Sequence, residues 1–416
     1  MRLYLRAAFA LSAGAIPLFA QNTAVLPFSN ISSESAIKNP ASMDWIGESI
    51  AETLRAALTS RGVLTLERDR ITEAYQRLNL RERAELTEAS MLKVGEVLDA
   101  EQIVHGTFSF IPAVAGLPPN ASASNSKGSL KIQARVSDRR HLRESAVFEE
   151  TGAIEDLATL ESHLAWRALT IVAPARAPAE SDFRSLRPAV PLDALENYIR
   201  GLLAAAPEQK EKYFTQAARL DPDFSPPAFE LGKLHFERKE YREAAQWLEH
   251  VGPTENHYRD ATFFLGYSRY QAGDFEAARK AFQTVVEKVP ISTVWNNLGA
   301  AESRLNLPQA VETFRKARDQ DPSDPDYHFN LGYALFKKGD FAAAADRFRA
   351  VLDRDPGDQM ATLLLGRCLK KQGLRAGTAS DARLQALERL KDTYEERVYF
   401  QLKSILESPP ASVPRQ

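Results

Sequence analysis

Residues able to do chemistry are few here, and their spacing assembles no site. The seven histidines, His105, His141, His163, His235, His250, His257 and His328, form no His-Glu-x-x-His array and flank no cysteine pair. A metal site of the usual helical or thiolate kind has no ligand set to build from. His250 and His257 share a turn region with Glu255, where a solvated loop is a sufficient explanation. The single cysteine, Cys368, follows Gly366 by two residues inside an apolar stretch and reads as a small buried hydrophobe. No Gly-x-Ser-x-Gly elbow, Walker loop or dinucleotide fingerprint occurs. Carboxylates are plentiful but lie beside basic residues, as in Glu237-Arg238-Lys239-Glu240, the pattern of a solvated helix face. The expectation is a protein with no catalytic residue, no cofactor and no metal, one that acts by binding.

The elements that would position a binding surface follow a beat of glycines. Gly232, Gly266, Gly299, Gly332 and Gly366 are spaced 34, 33, 33 and 34 residues apart, and each closes a Leu-Gly pair. A period of that size marks a repeat. About twelve positions after the glycine comes Ala244, Ala278, Ala310 or Ala344, which predicts a helical hairpin closing with the alanine against bare backbone. Gly273-Asp274, Gly339-Asp340 and the shortened Asn306-Leu307-Pro308 are the turns, and Pro290, Pro322 and Pro356 are helix stops. Asp221-Pro222 ends an earlier, less regular unit. No single hairpin can bury its apolar face, so the units must stack, and the stack has a concave side.

These residues resemble the tetratricopeptide repeat family, whose signature is matched most fully by Trp295, Leu298, Gly299, Ala310, Phe314, Ala317 and Pro322. The resemblance covers roughly Asp193 to Leu406 and implies a right-handed stack of hairpins that holds partner proteins. By the family's geometry the fifth, ninth and twelfth positions of each first helix face the groove. They are Phe229, Lys233 and Phe236, then Phe263, Tyr267 and Tyr270, then Asn296, Ala300 and Ser303, then Phe329, Tyr333 and Phe336. The expected groove takes an extended segment or helix of a partner on aromatic anchors, with Asn296 bonding its main chain. The aromatics at the fifth and twelfth positions have a competing role in packing between hairpins. The Lys-and-Asn arrangement by which some relatives clamp a terminal carboxylate is not matched, because Phe229 and Phe263 occupy the lysine positions.

Ahead of the repeats, residues 1–20 carry Arg2 and Arg6, an apolar run Ala7 to Phe19 and a terminal Leu18-Phe19-Ala20, which reads as a cleaved secretory signal with no integral span afterwards. Residues 23–172 then alternate strand and helix patterns. Ala24-Val25-Leu26-Pro27-Phe28, Gly62 to Leu66 and Gln102 to Phe110 are strands. Helices are expected after Asp44, at Asp69 to Leu78, at Thr87 to Leu98 and after Asp156 as an N-cap. Leu130, Ile132, Ala134 and Val136 alternate with polar residues, so the sheet turns antiparallel there, with Ala146 to Glu149 beside it. The segments Ala24 to Asn30, Asp44 to Ile50 and Leu130 to Asp138 resemble the TolB amino-terminal-like family of envelope proteins, similar in turn to curli- and flagellum-associated lipoprotein domains.

The expected architecture is α+β and multi-domain: a small α/β domain with a mixed sheet, then an all-α solenoid. Pro112 to Gly128 is a hairpin loop and 173–190 a Pro/Ala-rich linker. A degenerate first repeat spans 193–224, four repeats span 225–358, capping helices occupy 359–407 with an amphipathic pair from Arg383 to Leu406, and 408–416 is a tail. With 416 residues, 26% charged and a net charge of −2, the chain is an ordinary globular mixture with no basic field for nucleic acid. The reading is an envelope scaffold, periplasmic or outer-membrane-associated, that binds protein partners. The rivals are a regulatory accessory protein whose α/β domain senses a ligand, and an enzyme of envelope polysaccharide or peptide metabolism.

Overall fold

The structure, a computed structural model, describes residues 22–32, 43–81, 85–112, 127–185, 189–374, 384–396 and 398–400. The signal segment 1–20, the loop tip 113–126 and the tail 408–416 lie outside the described residues.

The first half is a sheet sandwiched between helices. Its strands are β1 (Thr23–Val25), β2 (Ser29–Asn30), β3 (Gln102–Pro112), β4 (Gly128–Asp138), β5 (Arg143–Glu144) and β6 (Phe148–Ala153). β1 and β2 run parallel to β3, while β3, β5 and β6 pair antiparallel with β4, so the sheet is mixed. The expected second strand at Gly62 to Leu66 contributes one bridge, Thr65 to Thr23. β4 alternates buried and exposed positions, as its sequence predicts. Helices α1 (Trp45–Ser60) and α4 (Leu157–Val172) cover one face, with Ile46, Ile50, Leu54 and Leu164 against Phe108, Leu130 and Ile132. On the other side α2 (Arg68–Arg77) and α3 (Glu88–Val97) bring Ile71, Tyr75 and Val94 onto Leu26 and Ile103. Thr87 caps α3 by accepting the Ser90 N–H at 3.2 Å. Asp156, expected to cap α4, makes no such bond.

Of the expected linker, residues 174–176 and 180–185 are short helices. A short helix, α5 (Glu180–Ser185), inserts Phe183 completely into the core. That core continues without a break from α1 and α4 into Tyr198, Ile199, Phe214 and Leu231 of the first helical hairpins. Asn256 adds a hydrogen bond from its Nδ2 to the Ala56 carbonyl at 2.8 Å.

The hairpins follow in order: α6 (Leu192–Leu203) with α7 (Pro207–Leu220), α8 (Pro226–Glu237) with α9 (Tyr241–Leu248), and α10 (Tyr258–Gln271) with α11 (Phe275–Val286). Then come α12 (Ser292–Arg304) with α13 (Ala310–Gln320), α14 (Pro325–Lys338) with α15 (Phe341–Leu352), and finally α16 (Gln359–Leu369). The turns work as their residues predict. Gly273 and Gly339 adopt the left-handed conformation at φ 88° and 87°, and Asp274 and Asp340 cap the helices that follow. Asn306 takes the left-handed place in the shortened turn. One packing expectation changes. The atoms that a Cβ on Gly266, Gly299 or Gly332 would meet include the rings of Phe282, Phe314 and Phe348, one turn beyond the alanine. The glycine therefore makes room for an aromatic side chain as well as for close helices.

The largest departure lies at the C-terminal end. Where an amphipathic helix pair is expected from Arg383 to Leu406, residues 386–395 are extended and lie along the face formed by the first helices of successive hairpins, with helix only at Glu396 and at 398–400, and 401–406 lie outside the described residues.

Candidate functional site

The site grows from three asparagines buried in helices. Asn297 and Asn330 each stand immediately before a Leu-Gly pair, in α12 and α14, and Asn296 lies beside Asn297; all three are 0% exposed. A buried amide without partners is costly. The extended segment supplies those partners. Asn330 donates from Nδ2 to the Arg389 carbonyl at 2.7 Å, and its Oδ1 accepts the Arg389 N–H at 2.8 Å. Asn297 repeats the pattern two residues on, with the Lys391 carbonyl at 2.7 Å and the Lys391 N–H at 2.9 Å. Asn296 adds a bond to the Arg389 carbonyl at 2.8 Å and accepts from Asn330 at 2.7 Å. An extended chain points the N–H and C=O of alternate residues to one edge, and two asparagines one repeat apart meet that two-residue period.

Side chains are held as firmly as the backbone. The Arg389 guanidinium reaches Asp326 at 3.0 Å and Asp358 at 2.7 Å, and lies 3.6 Å above the Phe329 ring centre. Lys391 pairs with Asp326 at 2.6 Å and Asp324 at 2.8 Å. Asp324 and Asp358 are also the N-caps of α14 and α16, so each carboxylate caps with one oxygen and turns the other to the groove. Burial alone would raise the Asp326 carboxyl, yet the hydrogen bonds from Lys391 and Arg389 outweigh it and hold the group below its ordinary value. Bonds to Asp324 and Asp326 likewise raise the Lys391 ammonium against the pull of burial. Glu388, its side chain fully enclosed, accepts from Ser303 Oγ at 2.6 Å with Lys337 Nζ at 3.6 Å. Tyr394 stacks on Phe263 at 4.7 Å between centroids, Tyr333 donates to the Leu384 carbonyl at 2.5 Å, and Arg259 pairs with Glu396.

Of the residues expected to line a groove, Phe263, Asn296, Ser303, Phe329 and Tyr333 touch this segment. The others pack within the repeats. Phe229 stacks on His257 at 4.6 Å beneath Lys233, and Phe236 and Tyr267 meet each other edge-on. Tyr270 is edge-on to Phe275 and Phe336 to Phe341. The sequence reading did not select Asn297, Asn330, Asp324, Asp326 or Asp358. A signal was present in the recurrence of asparagine before Leu-Gly in two successive units, where the other units carry Glu230, Phe264 and Leu364. His250 bonds the Gln246 carbonyl, and no cluster of three or more His, Cys, Asp or Glu suited to a metal occurs among the described residues.

Known proteins match this half of the chain. A tetratricopeptide repeat family model matches residues 263–325, 300–359 and 329–396. Residues 263–396 carry tetratricopeptide repeats. Among solved structures, YrrB, described as a TPR protein with an unusual peptide-binding site, is 20% identical over 42% of this chain and 92% of its own, at a TM-score of 0.38. MamA from Desulfovibrio magneticus RS-1 is 22% identical over 41% of this chain and 99% of its own, at 0.37. No curated protein matches the chain. Tetratricopeptide repeats point to a protein-protein interaction scaffold.

Proposed function

We propose that this protein is a non-catalytic adaptor of the cell envelope, exported by its amino-terminal segment, that holds an extended segment of a partner protein along the first helices of α10, α12, α14 and α16. The observation carrying this reading is the paired bonding of Asn297 and Asn330 to main-chain groups two residues apart. Such bonding recognises extended backbone whatever its source, and the acidic and aromatic walls then select side chains. Export and the envelope rest on the Arg2 to Ala20 pattern and on the resemblance of residues 23–172 to TolB amino-terminal-like domains. No helix among the described residues is long and apolar enough to cross a membrane.

The test is affinity capture from envelope extracts with the wild-type chain and with an Asn297→Ala, Asn330→Ala variant, together with amino-terminal sequencing of the recovered protein. Partners retained by the wild type and lost from the variant, on a chain starting near Gln21, are expected. Undiminished recovery by the variant removes the groove from consideration, and a chain beginning at Met1 in the cytosol removes export.

A further inference from the structure

The extended segment belongs to this chain, and its chemistry describes what the groove selects. Resting on the reading above, we infer that residues 384–396 are an internal ligand: they occupy the groove in place of a partner, and the partner that displaces them is an extended peptide carrying Glu-Arg-x-Lys followed three residues later by an aromatic. Each feature of that pattern has its own receptor. The acid enters the enclosure of Ser303 and Lys337, the arginine spans Asp326 and Asp358 over Phe329, the lysine meets Asp324 and Asp326, and the aromatic stacks on Phe263.

Two observations mark the segment as a ligand rather than a piece of core. One side of it faces solvent, with Gln385, Ala386, Asp392, Thr393 and Glu395 exposed, while Leu384, Leu387, Leu390 and Tyr394 pack on the repeats. Its main-chain contacts at Leu384, Arg389 and Lys391 are made to side-chain amides and the Tyr333 hydroxyl and not to a neighbouring strand, so an emptied groove would present asparagines and carboxylates that water can solvate beside the rings of Phe263 and Phe329. Competition of this kind is strong because the occupant is tethered. An effective concentration on the order of millimolar is usual for a short tether, and a resident segment of about micromolar intrinsic affinity would then weaken any competing partner about 1000-fold until it is released.

The test uses the full chain and a fluorescent peptide, LQALERLKDTYEE, identical to residues 384–396. In an Arg389→Glu, Lys391→Glu variant the resident segment meets Asp324, Asp326 and Asp358 with like charge and leaves, while the groove itself is unaltered. The peptide is expected to bind this variant at least about 10-fold more tightly than the wild type, and a peptide with the Arg and Lys exchanged for Glu is expected not to bind either. Equal binding to wild type and variant overturns the internal ligand but leaves groove binding standing. Equal binding of the charge-altered peptide overturns the selectivity. If the peptide binds neither protein while circular dichroism shows both folded, the groove is no peptide site, and the functional reading falls with the inference. A measurement without substitutions guards against misfolding: excess unlabelled peptide should speed hydrogen exchange at the Arg389 and Lys391 amides of the wild type, and unchanged protection overturns displacement. A concentration-dependent dimer abolished in the variant would overturn the internal arrangement in favour of exchange of the segment between copies.

Discussion

At the scale of the residue, a buried polar group can gain partners or lose charge, and this protein holds examples of both. Asn297 and Asn330 are of the first kind, since the segment satisfies both ends of each amide. Glu161 is of the second. Enclosed between α1 and α4, it accepts a hydrogen bond from Thr53 Oγ1 at 2.7 Å, and burial pushes its carboxyl up to about 7. Between the ordinary value of 4.5 and about 7 the group is ionised in the unfolded chain and protonated in the folded one. Folded stability therefore falls as pH rises through that window and stays lower above it. Glu161→Gln keeps an acceptor for Thr53 and removes the titration. Urea unfolding should show the variant gaining on the wild type by about 2 kcal/mol between pH 5 and pH 8. A constant difference across that range would mean the carboxyl is ionised in the folded state.

At the scale of the element, the repeat glycines share a sequence position but not an environment. A Cβ on Gly299 would stand 2.8 Å from the ring of Phe314, which is fully buried and has nowhere to move, whereas one on Gly366 meets nothing within 4 Å. Gly299→Ala should destabilise the chain by about 1–3 kcal/mol through overpacking. Gly366→Ala should stabilise it by up to about 1 kcal/mol, because the helix gains a better former at no steric cost. Denaturant midpoints of the two variants moving in opposite directions is the expected result. Movement the same way would show that α16 is packed as tightly as α12. The segment from Leu384 teaches a related lesson about elements. Leu384, Leu387, Leu390 and Tyr394 recur at the helical interval. The chain is nonetheless extended there, because buried asparagines and paired carboxylates on other helices offer its backbone and side chains more than an isolated helix would.

At the scale of the whole molecule, Phe183 joins what the sequence reads as separate parts. It fills a core shared by α1 and α4 of the sandwich and by the hairpin of α6 and α7. Phe183→Ala should cost about 3–5 kcal/mol and reduce hydrogen-exchange protection in β4 and α6 together. Loss confined to one of the two would show that the sandwich and the repeats unfold separately. The sequence by itself determined the elements whose signals are local: the repeat period, the glycine and aspartate turns, the alternation along β4 and the helical stop residues. Each of these depends on the conformational preference of a few neighbouring residues, so a single chain read in order reveals it. The groove's occupant, the pairing of Asn330 with Arg389, the grip of Asp358 and Asp326 on one guanidinium and the burial of Phe183 were decided by tertiary structure alone. They join residues dozens of positions apart, and their free energy exists only once folding has removed those groups from water and set them within hydrogen-bond or van der Waals reach.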